Sequence, residues 1–271
     1  MGAEARVAGV PENKVAKMWR AAYSTGFWLF VLGNSACMFP VAVGIWALTF
    51  PFDKKKVVLH QFTCFWASVY TWINPLWPVT VRGLEHMQKD TAYVMVSNHL
   101  STLDILVMYR IFRHFKWVSK LENFRVPFIG WNMSLNRYIP VRRGDKQSVA
   151  EMMKSCADAL EEGSSVMIFP EGTRSKTGRL RQFKLGAFEL AAATRRPILP
   201  IVIRGTAEAL PADGFYISGN HIELEVLPPM LPEEFEGMEP CDVMDKTRKI
   251  FAEALDEDED TPLINSPYVG R

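Results

Sequence analysis

One segment of the sequence, residues 27–50, contains no Asp, Glu, Lys or Arg over 24 positions. A helix needs about 20 apolar residues to cross a bilayer, so this segment is long enough to do so. It lacks the short apolar core and small-residue cleavage site of a secretory signal, and we therefore do not interpret it as removable. The alternative is a helix buried in a soluble core, but its length favours a membrane-associating helix.

A second apolar segment, residues 57–81, follows a basic turn at residues 53–56. It carries Trp66, Tyr70, Trp72 and Trp77, aromatic residues of the kind that concentrate at the headgroup boundary. The two segments predict an N-terminal helical hairpin, residues 1–80, that crosses the membrane or dips into it. Basic residues flank both ends, so the number of crossings stays open.

Beyond residue 80 the sequence alternates between strand-type and helix-type patterns. Strand-type runs occupy residues 92–98, 115–119, 137–141, 165–169, 198–203 and 221–227, and helical patterns occupy residues 145–162, about 184–194 and about 243–255. Strands that alternate with helices indicate an α/β fold with a central mixed, mostly parallel sheet flanked by helices. We predict that residues 81–271 form this domain, with a C-terminal helix and a solvated acidic tail at residues 256–260.

Charge and cysteine content exclude some classes of function. The formal net charge is +1, which argues against nucleic acid as a partner. The four cysteines show no C-x-x-C spacing, and no zinc-ligand pattern is present. They are interpreted as reduced and structural, which fits a protein that faces the cytosol.

The first candidate site follows the strand-type run at residues 92–98. His99 comes directly after Asn98, and Asp104 lies five residues later, where the pattern becomes helical. Histidine is the side chain best suited to move a proton near neutral pH, and a carboxylate on its Nδ1 would fix the tautomer. Ser101 and Asp104 also fit a capping box at the start of the helix, so both interpretations stay open.

The second candidate site follows the buried run at residues 165–169. It delivers Glu171, Gly172, Thr173 and Arg174 to the carboxyl end of a strand, where α/β sheets bind ligands. Arg174 has the planar fork that binds a phosphate. Four more basic residues follow and are either a solvated surface or an anion site: Lys176, Arg179, Arg181 and Lys184.

Two further blocks carry weaker signals. One contains Lys120, Pro127 and Gly130 and ends on the adjacent arginines Arg142 and Arg143, which could reach the same sheet edge. The other, residues 199–203, is an apolar strand that contains Pro200 and has no reactive group, so it indicates core or wall.

Together and in this order, the four blocks resemble the glycerophospholipid acyltransferase family, most closely its lysophosphatidic acid acyltransferases. His99 and Asp104 match the first motif, residues 169–175 match the third throughout, and Pro200 matches the fourth. Lys120, Pro127, Gly130 and Arg143 match the second. Asn123 stands where that motif usually has leucine, and Arg142 where it often has aspartate, so either arginine could face the substrate.

The resemblance implies transfer of an acyl chain from acyl-CoA or an acyl-carrier protein to the sn-2 hydroxyl of 1-acyl-sn-glycerol 3-phosphate. His99 would be the general base and Asp104 would orient its ring. With no cysteine near this pair we expect direct attack, and Ser101 stays an alternative nucleophile without motif support. Pro200 would be part of a wall that contacts the acyl chain. Six residues would bind the substrate phosphate: Lys120, Arg143, Glu171, Gly172, Thr173 and Arg174.

The resemblance implies no metal ion and no bound cofactor, because the acyl donor is a co-substrate. The expected partners are membrane lipids, lysophosphatidic acid and the donor. The expected location is a membrane with the site facing the cytosol, the endoplasmic reticulum in a eukaryote or the inner membrane in a bacterium. The alternatives are acylation of glycerol 3-phosphate or another lysophospholipid, or an inactive membrane scaffold. A lipid hydrolase is disfavoured because no G-x-S-x-G motif is present.

Overall fold

The structure, a computed structural model, describes residues 14–211 and 214–257. Most of the predicted acidic tail, residues 256–260, lies outside the described residues. A seven-stranded sheet has the order β1-β7-β6-β2-β5-β3-β4. Its strands are β1 (Val79–Arg82), β2 (Val94–Ser97), β3 (Phe115–Lys120), β4 (Ile139–Val141), β5 (Ser165–Ile168), β6 (Ile198–Arg204) and β7 (Ile222–Val226).

The strands β6, β2, β5, β3 and β4 run parallel to one another, so their carboxyl ends meet at one edge of the sheet. Strand β7 runs antiparallel to β6 and parallel to β1. The predicted mixed, mostly parallel sheet is therefore confirmed. Six of the strands overlap the predicted runs, whereas β1 was hidden in the apolar segment at residues 57–81.

Helices cover both faces of the sheet. In the described ranges they are α1 (Lys14–Thr49), α2 (Val57–Trp72), α3 (Leu103–Met108), α4 (Ile129–Leu135), α5 (Lys146–Glu161), α6 (Gly186–Thr194), α7 (Thr206–Ala209) and α8 (Pro240–Ala254). Helix α5 starts where the side chain of Asp145 accepts the backbone N–H groups of Gln147 and Ser148, a standard N-terminal cap.

The sheet separates two hydrophobic cores. Successive side chains of a strand point to opposite faces, and in β2 Met95 packs into the first core while Val94 and Val96 pack into the second. Residues of α1 to α4 complete the first core, and residues of α5, α6 and α8 complete the second.

The N-terminal segments do not form two equivalent helices. Helix α1, with 36 residues, is the one helix in the described part of the chain that is long and apolar enough to cross a membrane. The second segment divides into α2, a turn and β1. Helix α2 has only 16 residues, and Leu59, Cys64, Trp66 and Tyr70 on it are buried in the first core. It therefore covers the sheet, and the domain boundary at residue 80 stays a prediction.

Both ends of α1 contact the domain beneath it. In its second turn, Nε of Arg20 donates to the Ile217 carbonyl at 3.1 Å, and farther along the Ser24 hydroxyl accepts the N–H of Ile217. Beyond its end, Lys116 on β3 donates to the Lys55 carbonyl at 2.6 Å. The helix thus lies along the domain rather than projecting away from it.

Candidate active site

The side chain of Asn98 ends the pairing of β2 with β6, and the site begins at the next residue. Its amide group donates to the Ile203 carbonyl and accepts the Ile203 N–H, both at 2.8 Å. These bonds replace the backbone pairing that β2 would otherwise make with β6 at this level. The backbone is thereby free to leave the sheet, and His99 stands just beyond its carboxyl edge.

His99 and Asp104 form a hydrogen-bonded pair. Nδ1 of His99 lies 2.7 Å from Oδ2 of Asp104, whose side chain has no solvent exposure. A carboxylate can only accept, so Nδ1 carries the proton and Nε2 is the free base. The ring stacks on Phe169 with centroids 3.9 Å apart and planes 9° apart, which fixes its orientation.

Asp104 also binds backbone N–H groups at the start of the helix, as the capping interpretation predicts. Its Oδ2 accepts the backbone N–H groups of Leu100 and Ser101 at 2.7 and 2.8 Å. One carboxylate therefore holds both the start of the helix and the histidine ring. Ser101 is a poor nucleophile here, because its buried hydroxyl donates to the Leu210 carbonyl and accepts the N–H of Leu103.

Thr206 is a member of the site that the sequence motifs missed. Its hydroxyl donates to Oδ1 of Asp104, and both residues are fully buried. Gly205 makes this placement possible: its φ is +83°, and a Cβ there would lie 2.1 Å from the His221 carbonyl oxygen. Because Thr206 lies 102 residues from Asp104, no local sequence pattern reports the contact.

Glu171 supports the His99 backbone from within the protein. It is 3% exposed, and its Oε1 accepts the N–H of His99 at 2.8 Å. Burial raises its pKa to about 8, while the backbone N–H groups of His99 and Arg181 and the charge of Arg181 oppose the rise. Within the described residues its Oε2 has no hydrogen-bond partner. This position favours support of the loop over direct contact with a substrate.

Three of the predicted cations reach the region in front of His99. Lys120 ends β3 and Arg143 follows β4, and both line the cavity that His99 faces. Arg174 reaches its rim, where Nη1 donates to the Thr102 hydroxyl at 2.6 Å. The carboxyl edge of the parallel strands thus brings together cations from three different loops.

The structure also distinguishes the two adjacent arginines. Arg143 lines the cavity with His99, whereas Arg142 pairs with Asp145 at 3.7 Å and borders a different, polar groove. The remaining predicted residues do not line the cavity. Gly172 and Thr173 lie beyond it on the loop after β5, and Pro200 is buried inside β6 opposite Val96.

The cavity in front of His99 has a volume of about 340 Å³ and mainly apolar walls. This size lies at the lower end of the range for small-molecule sites. Helices α1, α2, α3 and α4 and strand β3 contribute lining residues, among them Val31, Trp66, Tyr70, Leu106 and Met133. Within the described ranges, no group of three His, Cys, Asp or Glu side chains is arranged to hold a metal ion.

A hydrogen-bonded His–Asp pair at the mouth of an apolar cavity with basic residues around it is the kind of site expected of an acyl-transfer enzyme on this α/β fold. The family model described as Acyltransferase matches residues 78–204, which contain every predicted site residue. The crystal structure of the 1-acyl-sn-glycerophosphate acyltransferase PlsC from Thermotoga maritima is similar, with a TM-score of 0.71 at 19% identity. The match covers 88% of this chain and 96% of that one, and it establishes the shared fold.

Curated relatives define the family more closely. The chloroplastic 1-acyl-sn-glycerol-3-phosphate acyltransferase LPAT1 of Arabidopsis thaliana is 37% identical over 207 residues, which cover 76% of this chain and 56% of that protein. A 1-acyl-sn-glycerol-3-phosphate acyltransferase of Limnanthes douglasii is 32% identical over 213 residues, 77% of this chain and 75% of that protein. The chain belongs to the 1-acyl-sn-glycerol-3-phosphate acyltransferase family, although it spans little more than half the length of some relatives.

Proposed function

We propose that the protein transfers an acyl chain from a thioester donor to the sn-2 hydroxyl of 1-acyl-sn-glycerol 3-phosphate, which yields phosphatidic acid. The observation that carries this proposal is the His99–Asp104 pair at 2.7 Å, with Nε2 of the histidine free at a 340 Å³ apolar cavity. The names of the curated relatives support the choice of acceptor.

The proposed steps use His99 as both base and acid. Nε2 takes the proton from the acceptor hydroxyl while its oxygen attacks the thioester carbonyl, and Asp104 stabilises the imidazolium that forms. The tetrahedral intermediate then collapses, the C–S bond breaks, and the imidazolium returns the proton to the thiolate. These steps need no metal ion, no bound cofactor and no acyl-enzyme.

Binding in this proposal is divided between the cavity and its basic rim. The apolar walls hold an acyl chain, and Lys120, Arg143 and Arg174 bind the acceptor's phosphate, for which the arginines offer a bidentate fork. Glu171 holds the backbone of His99 in place.

The proposal is tested by an acyl-transfer assay on the purified full chain. The acceptors are 1-oleoyl-glycerol 3-phosphate, glycerol 3-phosphate and lysophosphatidylcholine, each with oleoyl-CoA and with oleoyl-acyl-carrier protein, and His99→Ala is the control. We expect 1-oleoyl-glycerol 3-phosphate to give a kcat/KM at least about tenfold above the other acceptors. A preference for another acceptor would show that the proposed acceptor is wrong. The absence of transfer by a folded protein would support the inactive-scaffold alternative.

We also propose that α1 lies in one leaflet of a membrane instead of crossing it. The helix carries exposed apolar side chains, including Leu29, Leu32 and Leu48, but Arg20 near its start and Lys55 in the turn just beyond its end contact the same domain. A docked helix of this kind cannot place its ends on opposite sides of a bilayer. Such a position would bring the cavity next to the lipid acceptor, on the face of the sheet that α1 covers.

Thiol labelling on sealed vesicles tests this topology. Lys17→Cys and Lys54→Cys place a thiol near each end of α1, in a background where the exposed Cys37 and Cys241 are serine. An impermeant maleimide added outside the vesicles should label both variants equally. Labelling of only one of them would show that α1 crosses the bilayer.

A further inference from the structure

The loop between β5 and α6 carries an excess of positive charge that the site described above does not use fully. From residue 172 to residue 188 the sequence has five Lys or Arg and no Asp or Glu. Arg174 belongs to the rim of the cavity, but Arg179, Arg181 and Lys184 do not line it. We define these last three residues as the basic loop.

The backbone of the basic loop is fixed by buried residues between its cations. Leu180 and Phe183 are 8% and 3% exposed and pack into the second core, where the Phe183 ring contacts Phe188 and Phe251. The N–H of Lys184 donates to the Pro170 carbonyl at 2.9 Å. Arg179 and Lys184 are exposed, so the two cations are presented from an anchored segment rather than from a free one.

The segment that leads into the basic loop contacts the reacting histidine, and the last residue of the basic loop lies against Gly172. The N–H of Ser175, just before it, donates to the His99 carbonyl at 2.7 Å. At its end, the Lys184 side chain lies over Gly172, where a Cβ would be only 2.8 Å from Nζ. Gly172 has a φ of +69°, and its missing side chain leaves the space that the lysine fills.

The basic loop and the cavity lie on opposite faces of the sheet. The anchors Leu180 and Phe183 belong to the second core, whereas cavity residues such as Trp66 and Tyr109 belong to the first. The carboxyl edge of the sheet therefore carries two groups of cations, with His99 between them. Lys120 and Arg143 are on the cavity side, and the basic loop is on the other.

We propose that the basic loop binds the phosphate groups of the acyl donor's phosphopantetheine carrier. This inference depends on the proposed function, in which both substrates carry phosphate. The acceptor's phosphate is a few bonds from the attacking hydroxyl and must stay on the cavity side of His99. The donor's phosphate is separated from its thioester by the long pantetheine arm, so it leaves the cavity and meets the surface beyond.

The three cations have different surroundings, and these set the choice of variants. Arg181 is half-buried and acts on the buried carboxyl of Glu171, so its replacement would also disturb the site. The carboxylate of Glu257 lies near the loop as well, where it accepts the N–H of Leu180. Arg179 and Lys184 are exposed and can be changed without opening the core.

The test compares Arg179→Gln/Lys184→Gln with a control of equal charge change, Lys154→Gln/Arg195→Gln. Oleoyl-CoA, oleoyl-acyl-carrier protein and oleoyl-pantetheine, which has no phosphate, serve as donors to a short-chain soluble acceptor without vesicles. We expect the KM of the phosphorylated donors to rise about tenfold, because charge-assisted hydrogen bonds are lost. The KM of oleoyl-pantetheine, the KM of the acceptor and the kcat should stay within about twofold of wild type, as should all values of the control.

Several outcomes would overturn the inference without touching the proposed function. An unchanged donor KM in an active enzyme, together with loss of binding to anionic vesicles, would assign the basic loop to lipid headgroups. An equal rise in KM for donor and acceptor would assign it to the acceptor site. A rise confined to oleoyl-CoA or to oleoyl-acyl-carrier protein would uphold the inference and identify the carrier. In this comparison, the absence of acyl transfer by the wild type would count against the proposed function itself.

Discussion

Two buried histidines occupy very different surroundings in this protein. His99 stands at the carboxyl edge of the sheet with Nδ1 on Asp104, and its Nε2 has no protein partner among the described residues. His60 lies on α2, fully buried, with Nδ1 bonded to the Tyr138 hydroxyl at 2.8 Å and Nε2 to the Arg113 carbonyl at 3.0 Å. One histidine has a nitrogen to offer a substrate, and the other has none.

The electrostatic surroundings also disfavour a positive charge on the His60 ring and stabilise one on the His99 ring. Burial lowers the pKa of His60 well below its usual value, and the nearby His114 and Lys116 lower it further. In the described part of the chain no carboxylate contacts its ring, so an imidazolium there would have no counter-ion among these residues. His99 has a buried carboxylate at its Nδ1 that can stabilise such a charge. The comparison shows that burial alone does not determine whether a histidine can exchange protons: the ring also needs a free nitrogen and a carboxylate that stabilises its charge.

The strongest test of this comparison is to remove the His99 ring. His99→Ala should lower kcat by about 10²–10⁴-fold, the usual contribution of general acid–base catalysis, with little change in melting temperature. Asp104→Asn should be nearly as severe and should also lower the melting temperature, because its carboxylate caps the helix start as well. Rates from the acyl-transfer assay and melting curves check both variants. If Asp104→Asn kept full turnover, the only role of Asp104 would be to cap the start of the helix.

The matched change at the other histidine should have the reverse effect. His60→Ala removes two buried hydrogen bonds and leaves a cavity, so we expect a loss of about 2–4 kcal/mol in the free energy of unfolding. Turnover per folded molecule should stay near wild type, since the ring does not itself line the cavity. Denaturant unfolding and active-site-normalised rates measure the two quantities. A large fall in kcat with normal stability would contradict the structural role.

The sequence predicted the elements of the site better than their environments. Runs of apolar residues located six strands, and the spacing of His99 and Asp104 reported a contact that is local in the chain. Thr206 could not be found this way, because β6 brings it to Asp104 from far along the chain. The choice between Arg142 and Arg143 was also open, since only the folded turn shows that Asp145 holds Arg142 away.

The two N-terminal apolar segments show the same limit of prediction from sequence. The uncharged run at residues 27–50 predicted a helix of sufficient length, and α1 is that helix. Its length carries no information on the contacts that bind both of its ends to one domain. The second apolar run concealed a short helix and a strand, because burial in a protein core and contact with lipid select the same side chains.

A smaller effect should come from Thr206, which extends the His99 side of the comparison. Thr206→Val removes the hydroxyl that donates to Asp104 and keeps a similar shape. We expect kcat to fall about tenfold with both KM values unchanged, because a hydrogen bond to a buried carboxylate contributes roughly 1.5–3 kcal/mol. Thr206→Ser restores the hydroxyl and should recover most of the rate. Equal losses in the two variants would assign Thr206 to packing alone.

The smallest expected effect is on the pH dependence of stability, which has opposite signs around His99 and around His60. Burial raises the pKa of Glu171 to about 8 in the folded protein, so the folded state holds this proton more tightly than the unfolded state does. The resulting stability is fully present below the ordinary value of about 4.5 and is lost progressively as the pH rises from there through about 8. Around His60 the sign is opposite: burial lowers the pKa of His114 to about 3, so stability is lost there as the pH falls below about 6.5.

Glu171→Gln keeps an oxygen for the His99 N–H but has no proton to lose. As the pH rises from about 4.5 to about 8, its melting temperature should therefore decline less than that of wild type, by a few degrees, and above about pH 8 the two curves should run parallel. The loss caused by His114 on acidification should be present in both proteins. Melting curves across this range provide the measurement. Parallel curves between pH 5 and pH 8 would show that Glu171 is already ionised in the folded protein over this range, and its charge would then have to be balanced within the site.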